Sequence, residues 1–196
     1  MSHALDPSVD LDGQPFVKFR LQCGSKMIQD ILNPKPEEMD LAAIEANLKT
    51  ARRWSNHPLA LVVDQHRLAV YKLACMDTSG FIPAEERAQV LEWCLHHDDP
   101  EGVTGDIVSP LKGLISTQTD ILHRVENGLE KAICAARGML MPSDNVRAIV
   151  HHYDKIAETL EWCGCLGNPL ADWNYPLPDW LSPVDGDCLI QWARQQ

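Results

Sequence analysis

The sequence predicts an all-α protein, and three observations support this helical class. Apolar residues recur at helical spacing through most of the chain, and capping residues and prolines mark where several of these segments begin or end. The 196 residues suit one domain that buries its own core without disulfides or metal. A composition of 45% hydrophobic and 23% charged residues is typical of a soluble globular protein. Any metal site would therefore serve function rather than folding.

The predicted elements begin with an N-terminal extension over residues 1–38. Within it, Phe16–Leu21 alternates apolar and polar residues, which indicates a short half-buried strand. A helical core over residues 39–163 follows, in which Asp40 is a suitable N-cap for a helix that runs down to Trp54. The other predicted core elements share an apolar face: Leu61–Met76, a Pro83-led helix that runs into His96–Asp99 and stops at Pro100, a Pro110-led turn, Thr117 to about Ala136, and Asp144 to about Trp162.

The last part of the chain, residues 164–196, is rich in proline and tryptophan. This composition predicts an irregular C-terminal tail that packs on the core and does not form a second domain. The seven cysteines are an odd number and predict reduced thiols. Cys163 and Cys165 form the one close pair, which falls short of the usual structural zinc spacing, so we interpret them as chance neighbours at a helix end.

The charge balance limits the class of partner. Lys and Arg total 17 against 28 Asp and Glu, a formal net charge of −11. Binding to a long nucleic-acid backbone depends on clustered Lys and Arg, so the sequence predicts no nucleic-acid polymer as partner. Uncharged stretches are too short for a membrane helix, and the N-terminus lacks a basic region followed by an apolar one. We therefore expect a cytoplasmic protein with no membrane partner, whose oligomeric state is left open, a homo-oligomer included.

Histidines and acids on successive predicted helices form the most informative group. His66 lies within one helix, His97 and Asp98 lie at the end of the next, and Asp154 lies in the last long helix. Two imidazoles and two carboxylates are ligands that Zn, Co, Mn or Fe accept together. Neighbouring residues on a helix point about 100° apart, so His97 and Asp98 can share a metal only near a helix end. Pro100 provides that end.

The order H…HD…D resembles the signature of the HD-domain metal-dependent phosphohydrolases. The stretch from His97 to Lys112, HDDPEGVTGDIVSPLK, is more specific. It resembles the HDxxE…GDI-x-SPLK block of small single-domain HD nucleotidases, namely bacterial 5′-deoxynucleotidases, prophage-encoded HD hydrolases and bacteriophage deoxyadenosine triphosphohydrolases. Arg53-Trp54 is similar to a pair that precedes the first histidine helix in that group. The resemblance covers about residues 40–162 and implies an HD-domain helical bundle.

The resemblance also implies roles for individual residues. The metal ligands would be His66, His97, Asp98 and Asp154. Glu101 would orient or deprotonate the attacking water, and Asp106 would assist the leaving group. Arg53 and Lys112 would hold phosphate, and Trp54 would stack on a nucleobase. The expected cofactor is a divalent ion such as Zn, Co or Mn, with a second ion such as Mg left open. The expected substrate is a small deoxynucleotide, and two reactions are left open. A deoxynucleoside triphosphate, with dATP as one option, would give a deoxynucleoside and triphosphate, whereas a deoxynucleoside monophosphate would give a deoxynucleoside and orthophosphate.

Each of these residues also has a simpler interpretation. His66 alone could be a core histidine, and Asp154 could pair with Lys155 or Arg147. Trp54 could be packed in the core, the role that we assign to the other five tryptophans. Glu158 and Glu161 follow Asp154 at one-turn and two-turn spacing, where a solvated or capping role is at least as expected as support for a ligand. At the level of the whole protein, the alternative is an inactive HD-fold domain that binds nucleotides or signals.

Overall fold

The computed structural model describes residues 19–172 and 175–196, and most of these residues are helical. The predicted all-α class is confirmed in this coarse form, with a two-stranded sheet as an addition. The helices are α1 (Leu41–Leu48), α2 (Arg53–Asn56), α3 (Val63–Met76), α4 (Arg87–Cys94), α5 (Glu101–Thr104), α6 (Ser109–Ser116), α7 (Ile121–Arg137), α8 (Asp144–Leu160) and α9 (Pro183–Ala193). None of the helices in the described part of the chain combines the length and apolarity needed to cross a bilayer.

A β-hairpin precedes the helices. Strand β1 (Leu21–Cys23) pairs antiparallel with β2 (Lys26–Ile28), and Leu21 lies opposite Ile28. The predicted strand at 16–21 falls largely outside the described residues, because residues 16–18 are not among them, and the described ladder begins only at Leu21. Gly24 turns the chain at a φ of 57°, a conformation that glycine adopts without steric cost. The alternation of apolar residues thus leads into the hairpin but does not locate it.

Helix α1 begins as predicted and ends earlier. The Asp40 side chain accepts a hydrogen bond from the backbone N–H of Ala43, so Asp40 is the N-cap. Regular helix stops at Leu48, and the predicted continuation to Trp54 is wrong because the chain there turns back on itself. Two backbone hydrogen bonds fix this turn: Val63 N–H donates to Ala51 at 2.8 Å, and Arg53 N–H donates to the carbonyl of Leu61 at 3.1 Å.

The core contains the three helices, α3, α4 and α8, that surround the predicted metal ligands. Helix α3 packs against both α4 and α8, and buried apolar side chains fill the space between them, among them Leu73 on α3, Val90 on α4 and Ile156 on α8. The predicted helix Leu61–Met76 agrees with α3 to within two residues, because its apolar periodicity is strong.

The chain after Cys94 forms tight turns rather than the predicted continuous helix up to Pro100. The backbone N–H of His96 donates to Trp93 and that of Asp99 donates to His96, and Pro100 then begins α5. Near the C-terminus of the chain, the prediction of an irregular tail is wrong for α9. Buried residues of α9, including Ile190 and Ala193, join the same core as α3 and α8, which explains why this amphipathic segment is helical.

Candidate metal centre and adjoining cleft

Four predicted ligands converge where α3, α8 and the end of α4 meet. Potential ligand atoms of His66, His97 and Asp154 all lie within 4.8 Å of one another. His66 Nε2 is 3.0 Å from Asp154 Oδ1. Asp98 Oδ2 lies 3.4 Å from His97 Nε2 and 3.8 Å from His66 Nε2. Residues that are separated by up to 88 positions in the sequence therefore present two nitrogens and two oxygens to one point.

The tight turns after α4 explain how adjacent residues share this point. The backbone N–H of His97 donates to the carbonyl of Trp93 at 2.9 Å, which holds the turn closed after the regular helix has ended. His97 Nδ1 lies 3.0 Å from the carbonyl oxygen of Cys94, to which it can only donate. This hydrogen bond leaves Nε2 directed at Asp98 and the rest of the cluster.

The chemistry of the cluster fits a divalent cation. Among the described residues, His97 Nε2 and Asp98 Oδ2 are buried and have no hydrogen-bond partner. A buried polar atom without a hydrogen bond costs about 1–3 kcal/mol, so a cation bound between these two atoms, which lie 3.4 Å apart, would be stabilising. Two imidazole nitrogens and two carboxylate oxygens suit Zn, Co, Mn or Fe(II). The residues present therefore fit the expected cofactor.

Charges in the cluster are strongly coupled. Burial alone would raise the pKa of Asp154, but its hydrogen bond with His66 and the nearby positive charges hold that pKa far below its usual range. Burial likewise opposes ionisation of Asp98, yet His97, His66 and Arg53 keep its pKa lowered. For His66, burial and Arg53 favour the neutral ring, whereas Glu161 and Asp154 outweigh them and raise the pKa to about 10. The carboxylates thus favour a positive charge at His66, and a metal ion would compete with a proton for its Nε2.

Glu161 makes the closest contact in the site, and sequence analysis undervalued it. Its side chain is fully buried, with Oε1 at 2.6 Å from His66 Nδ1, and Oε2 accepts from Trp54 Nε1–H at 3.0 Å. A solvated or capping role for Glu161 is therefore wrong, and the same holds for Glu158, which is also buried. The available signal was spacing, since Asp154, Glu158 and Glu161 fall on one helical face. Glu161 opens a π-helical turn, Glu161–Cys165, a feature often found at functional sites.

Of the predicted catalytic carboxylates, Glu101 lies beside Asp98 and Lys112, and Asp106 lies beside Arg53. Glu101 is buried, and its Oε1 lies 3.3 Å from Lys112 Nζ, while Oε2 has no hydrogen-bond partner among the described residues. Burial, reinforced by the charge of Asp98, raises the pKa of Glu101 to about 8. Asp106 is half-buried, and burial raises its pKa as well. Both carboxyl groups therefore take up protons more readily than ordinary acids.

Lys112 and Arg53 supply positive charge to the site, and both already form ion pairs with carboxylates. Lys112 Nζ lies 3.0 Å from Glu126 as well as 3.3 Å from Glu101. Arg53 is buried among three carboxylates, with its guanidinium 3.6 Å from Asp98, 3.3 Å from Glu158 and 3.3 Å from Glu161. These three carboxylates fix the direction in which the Arg53 guanidinium points. A phosphate that reaches Arg53 would therefore meet a guanidinium that is already oriented.

A cleft of about 390 Å³ adjoins this network. It is lined by Arg53, Trp54, Asp106, Val108, Ser109, Pro110, Glu158 and Trp162. The Trp54 and Trp162 rings lie side by side, with centroids 5.8 Å apart and planes tilted by 42°. The structure thus places Trp54 at a cleft wall and not in the core. Trp162 lines the same cleft and packs against Trp54, whereas Trp93 is buried in the core as expected. Trp173, also assigned to packing, lies outside the described residues.

The backbone at Trp54 has an uncommon conformation. Trp54, Ser55 and Asn56 all have positive φ angles, of 55°, 54° and 65°. Non-glycine residues in the left-handed region cost about 1–2 kcal/mol each, and such outliers concentrate at functional sites. The strained turn directs the Trp54 indole to both the cleft and Glu161.

The histidines next to the predicted ligands have other partners. His96 Nδ1 bonds Asp99, and His152 Nδ1 bonds the Tyr175 hydroxyl at 2.6 Å. His151 is mostly exposed and lies 3.7 Å from Asp154. Of the rival partners for Asp154, Lys155 lies 3.9 Å away and pairs more closely with Glu158, and Arg147 pairs with Glu130.

A second group of potential ligands, Glu45, His96 and Asp99, is already neutralised by arginine. Arg67 bonds Asp99 at 2.7 Å and Glu45 at 3.1 Å, and Arg137 bonds both of the same carboxylates. We interpret this group as a structural ion-pair network.

Comparison with known proteins adds no assignment: no protein-family model matches the chain, and no curated protein matches it. The function of this protein is therefore inferred from its site.

Proposed function

We propose that this protein is a metal-dependent phosphohydrolase of the HD superfamily that acts on small deoxynucleotides. The observation that carries the proposal is the cluster of His66, His97, Asp98 and Asp154, in which two buried atoms lack a hydrogen-bond partner among the described residues. Its ligands come from α3, the turn after α4, and α8, in the chain order of the HD signature. An aromatic cleft next to the cluster supports a nucleotide as the substrate.

The chain supplies the groups that hydrolysis requires. When bound by these four residues, a divalent cation supplies Lewis-acid chemistry that polarises a phosphoryl oxygen and lowers the pKa of a water molecule. A bound cation would favour the ionised form of Glu101, and its unpartnered Oε2 would then accept the proton of the attacking water. The water oxygen bonds to phosphorus as the bond from phosphorus to the 5′ oxygen breaks, and Asp106, whose pKa is raised, protonates that oxygen. Arg53 and Lys112 stabilise the phosphate charge.

The cleft favours a nucleotide over a simple phosphate ester. Trp54 offers a flat indole surface at the edge of the Arg53 network, and stacking of a base on an aromatic ring contributes about 1–3 kcal/mol. Val108 and Pro110 add apolar surface, which suits a base and a deoxyribose. The local cations, together with the metal, also reconcile an anionic substrate with a net charge of −11.

A panel of deoxynucleoside mono- and triphosphates, assayed with Mn²⁺ or Co²⁺ and with separation of orthophosphate from triphosphate, tests the proposal. We expect the deoxynucleoside and one of these two products from at least one substrate. A metal-loaded protein that binds a nucleotide but hydrolyses none of the panel would contradict the enzyme proposal and would support the binding-domain alternative.

A further inference from the structure

We infer that Glu161 is a positioning residue that couples the metal site to the nucleotide cleft. The inference rests on the proposed metal site and goes beyond it, because Glu161 belongs neither to the four ligands nor to the residues that line the cleft. One buried carboxylate contacts a proposed ligand, His66, and two proposed substrate-binding residues, Arg53 and Trp54.

The contact with His66 fixes the ring for metal binding. Oε1 of Glu161 lies 2.6 Å from His66 Nδ1, so a proton between them stays on Nδ1 and leaves the Nε2 lone pair for the cation. Nε2 faces Asp154 at 3.0 Å and Asp98 at 3.8 Å. A carboxylate behind a ligating histidine sets its tautomer and orientation, and its removal typically costs 10–100-fold in metal affinity.

The other contacts of Glu161 reach the cleft. Oε2 accepts from the Trp54 indole N–H at 3.0 Å, and Arg53 Nε lies 3.3 Å from Oε1. Trp54 has a left-handed backbone, so its side chain orientation depends on tertiary contacts such as this one. Any shift of the carboxylate toward a metal-bound His66 therefore moves the acceptor that holds Trp54. Metal binding to His66 should strengthen nucleotide binding because a cation attracts phosphate and because Glu161 holds both His66 and Trp54 in place. Coupling is reciprocal, so nucleotide should raise metal affinity by the same factor.

Glu161→Gln tests this arrangement sharply. A glutamine side chain has one carbonyl oxygen and one NH₂ group, whereas both His66 Nδ1–H and Trp54 Nε1–H are donors. If the amide oxygen stays on Trp54, the NH₂ group faces His66 Nδ1. That contact is then either lost or reversed, and reversal places the ring proton on Nε2, the nitrogen that would bind the metal. Glu161→Asp keeps both acceptor oxygens on a shorter side chain and should recover part of the function.

Glu158→Gln is the matched control. Glu158 lies on α8, is buried like Glu161, and pairs with the same Arg53 at 3.3 Å, but its hydrogen bonds go to Arg53 and Lys155 and not to His66 or Trp54. The Glu158→Gln substitution therefore removes one buried negative charge near the site but keeps the hydrogen bond between Glu161 and His66. The difference in metal affinity between the two variants measures the effect of Glu161 on His66, because Glu158 lines the cleft but does not contact the histidine.

The experiment measures Zn²⁺ and Co²⁺ affinity of the full-length wild type, Glu161→Gln, Glu161→Asp, Glu158→Gln and His97→Ala by calorimetry, with Co²⁺ absorption as the signature of ligand geometry. Affinity of the same proteins for a non-hydrolysable deoxynucleotide is measured with and without Zn²⁺. We expect Glu161→Gln to lose about tenfold more metal affinity than Glu158→Gln, with partial recovery in Glu161→Asp. We also expect Zn²⁺ to tighten nucleotide binding in the wild type and much less in Glu161→Gln.

The outcomes separate the two proposals. If the wild type binds Zn²⁺ and His97→Ala does not, but Glu161→Gln matches Glu158→Gln, the role of Glu161 is contradicted and the metal site is retained. If the wild type binds no metal, or His97→Ala binds it equally well, the proposed function is overturned and the inference with it. If Glu161→Gln does not fold, NMR of the Zn²⁺-loaded wild type decides, because absence of an exchange-protected His66 Nδ1–H would contradict the inference.

Discussion

Arg67 and Asp99 form a buried ion pair at 2.7 Å, and each directly follows a proposed metal ligand in the sequence. Arg67 follows His66 on α3, and Asp99 follows Asp98 in the turn after α4. The two residues are 5% and 2% exposed. This pair therefore ties together the two chain segments that bring His66 and Asp98 to one point.

We expect Arg67→Met to destabilise the fold by about 3 kcal/mol, since removal of one partner leaves a buried charge uncompensated. The remaining contact of Asp99 with Arg137 keeps the loss at the lower end of the usual range. Urea unfolding of the metal-free protein measures the change. Arg147→Met, which removes a more exposed pair with Glu130, is the control and should cost roughly 1 kcal/mol. Equal losses of stability in the two variants would contradict the prediction that the buried pair of Arg67 stabilises the fold more than an exposed pair does.

Trp54→Ala should reduce nucleotide recognition more than hydrolysis of a phosphate ester without a base. Loss of stacking worth about 1–3 kcal/mol raises KM for a deoxynucleotide by roughly 5–150-fold. Turnover of p-nitrophenyl phosphate should change little. Trp54→Phe keeps an aromatic face and should retain most of the selectivity. Parallel losses on both substrates in Trp54→Ala would indicate that the indole is needed only for the structure.

The left-handed backbone at Ser55 should make the free energy of unfolding sensitive to the side chain at this position. Ser55 is exposed at a φ of 54°, so a β-branched side chain is strained there and glycine is not. We expect Ser55→Val to lower the free energy of unfolding by about 1–2 kcal/mol, whereas Ser55→Gly leaves it unchanged or slightly raised. Thermal unfolding at a fixed pH measures both. Ser116→Val, at an exposed helical position, should have a small effect, and a loss there as large as that in Ser55→Val would contradict the strain argument.

The raised pKa of Glu101, about 8 in the folded protein, predicts how stability depends on pH. The native state favours the neutral carboxyl, so this group destabilises the metal-free protein increasingly as pH rises from the unfolded pKa, near 4.5, toward 8. Each pKa unit corresponds to about 1.4 kcal/mol, so the effect is of the order of 3 kcal/mol by pH 7.

Glu101→Gln lacks this titration. We expect its free energy of unfolding to rise relative to wild type between pH 5 and pH 8, measured by denaturant titration without metal. A difference between the two proteins that stays constant over this interval would contradict the raised pKa. The same substitution should abolish hydrolysis, because an amide cannot accept the proton of water.

The sequence predicted the helices with strong apolar periodicity, such as α3, and also the four ligands His66, His97, Asp98 and Asp154, which the structure brings together. Spacing placed Glu161 on the same helical face as Asp154, but its contact with His66 could not be predicted, because the two residues are 95 positions apart and meet only through the packing of α3 and α8. The end of α1 at Leu48 and the left-handed Trp54 were also missed, since helical spacing continues through a region where tertiary hydrogen bonds reverse the chain. Periodicity reports which side of a segment is buried, whereas a turn depends on its partners elsewhere in the fold.

The most direct test of the central claim is metal-dependent turnover with the predicted site intact and altered. Chelator-treated wild type and His97→Ala are assayed side by side on the deoxynucleotide selected by the panel, before and after addition of Mn²⁺ or Co²⁺. The site predicts no turnover by the stripped wild type, restoration by the metal, and no restoration in a folded His97→Ala protein. Full activity of His97→Ala, or metal-independent activity of the wild type, would contradict the account.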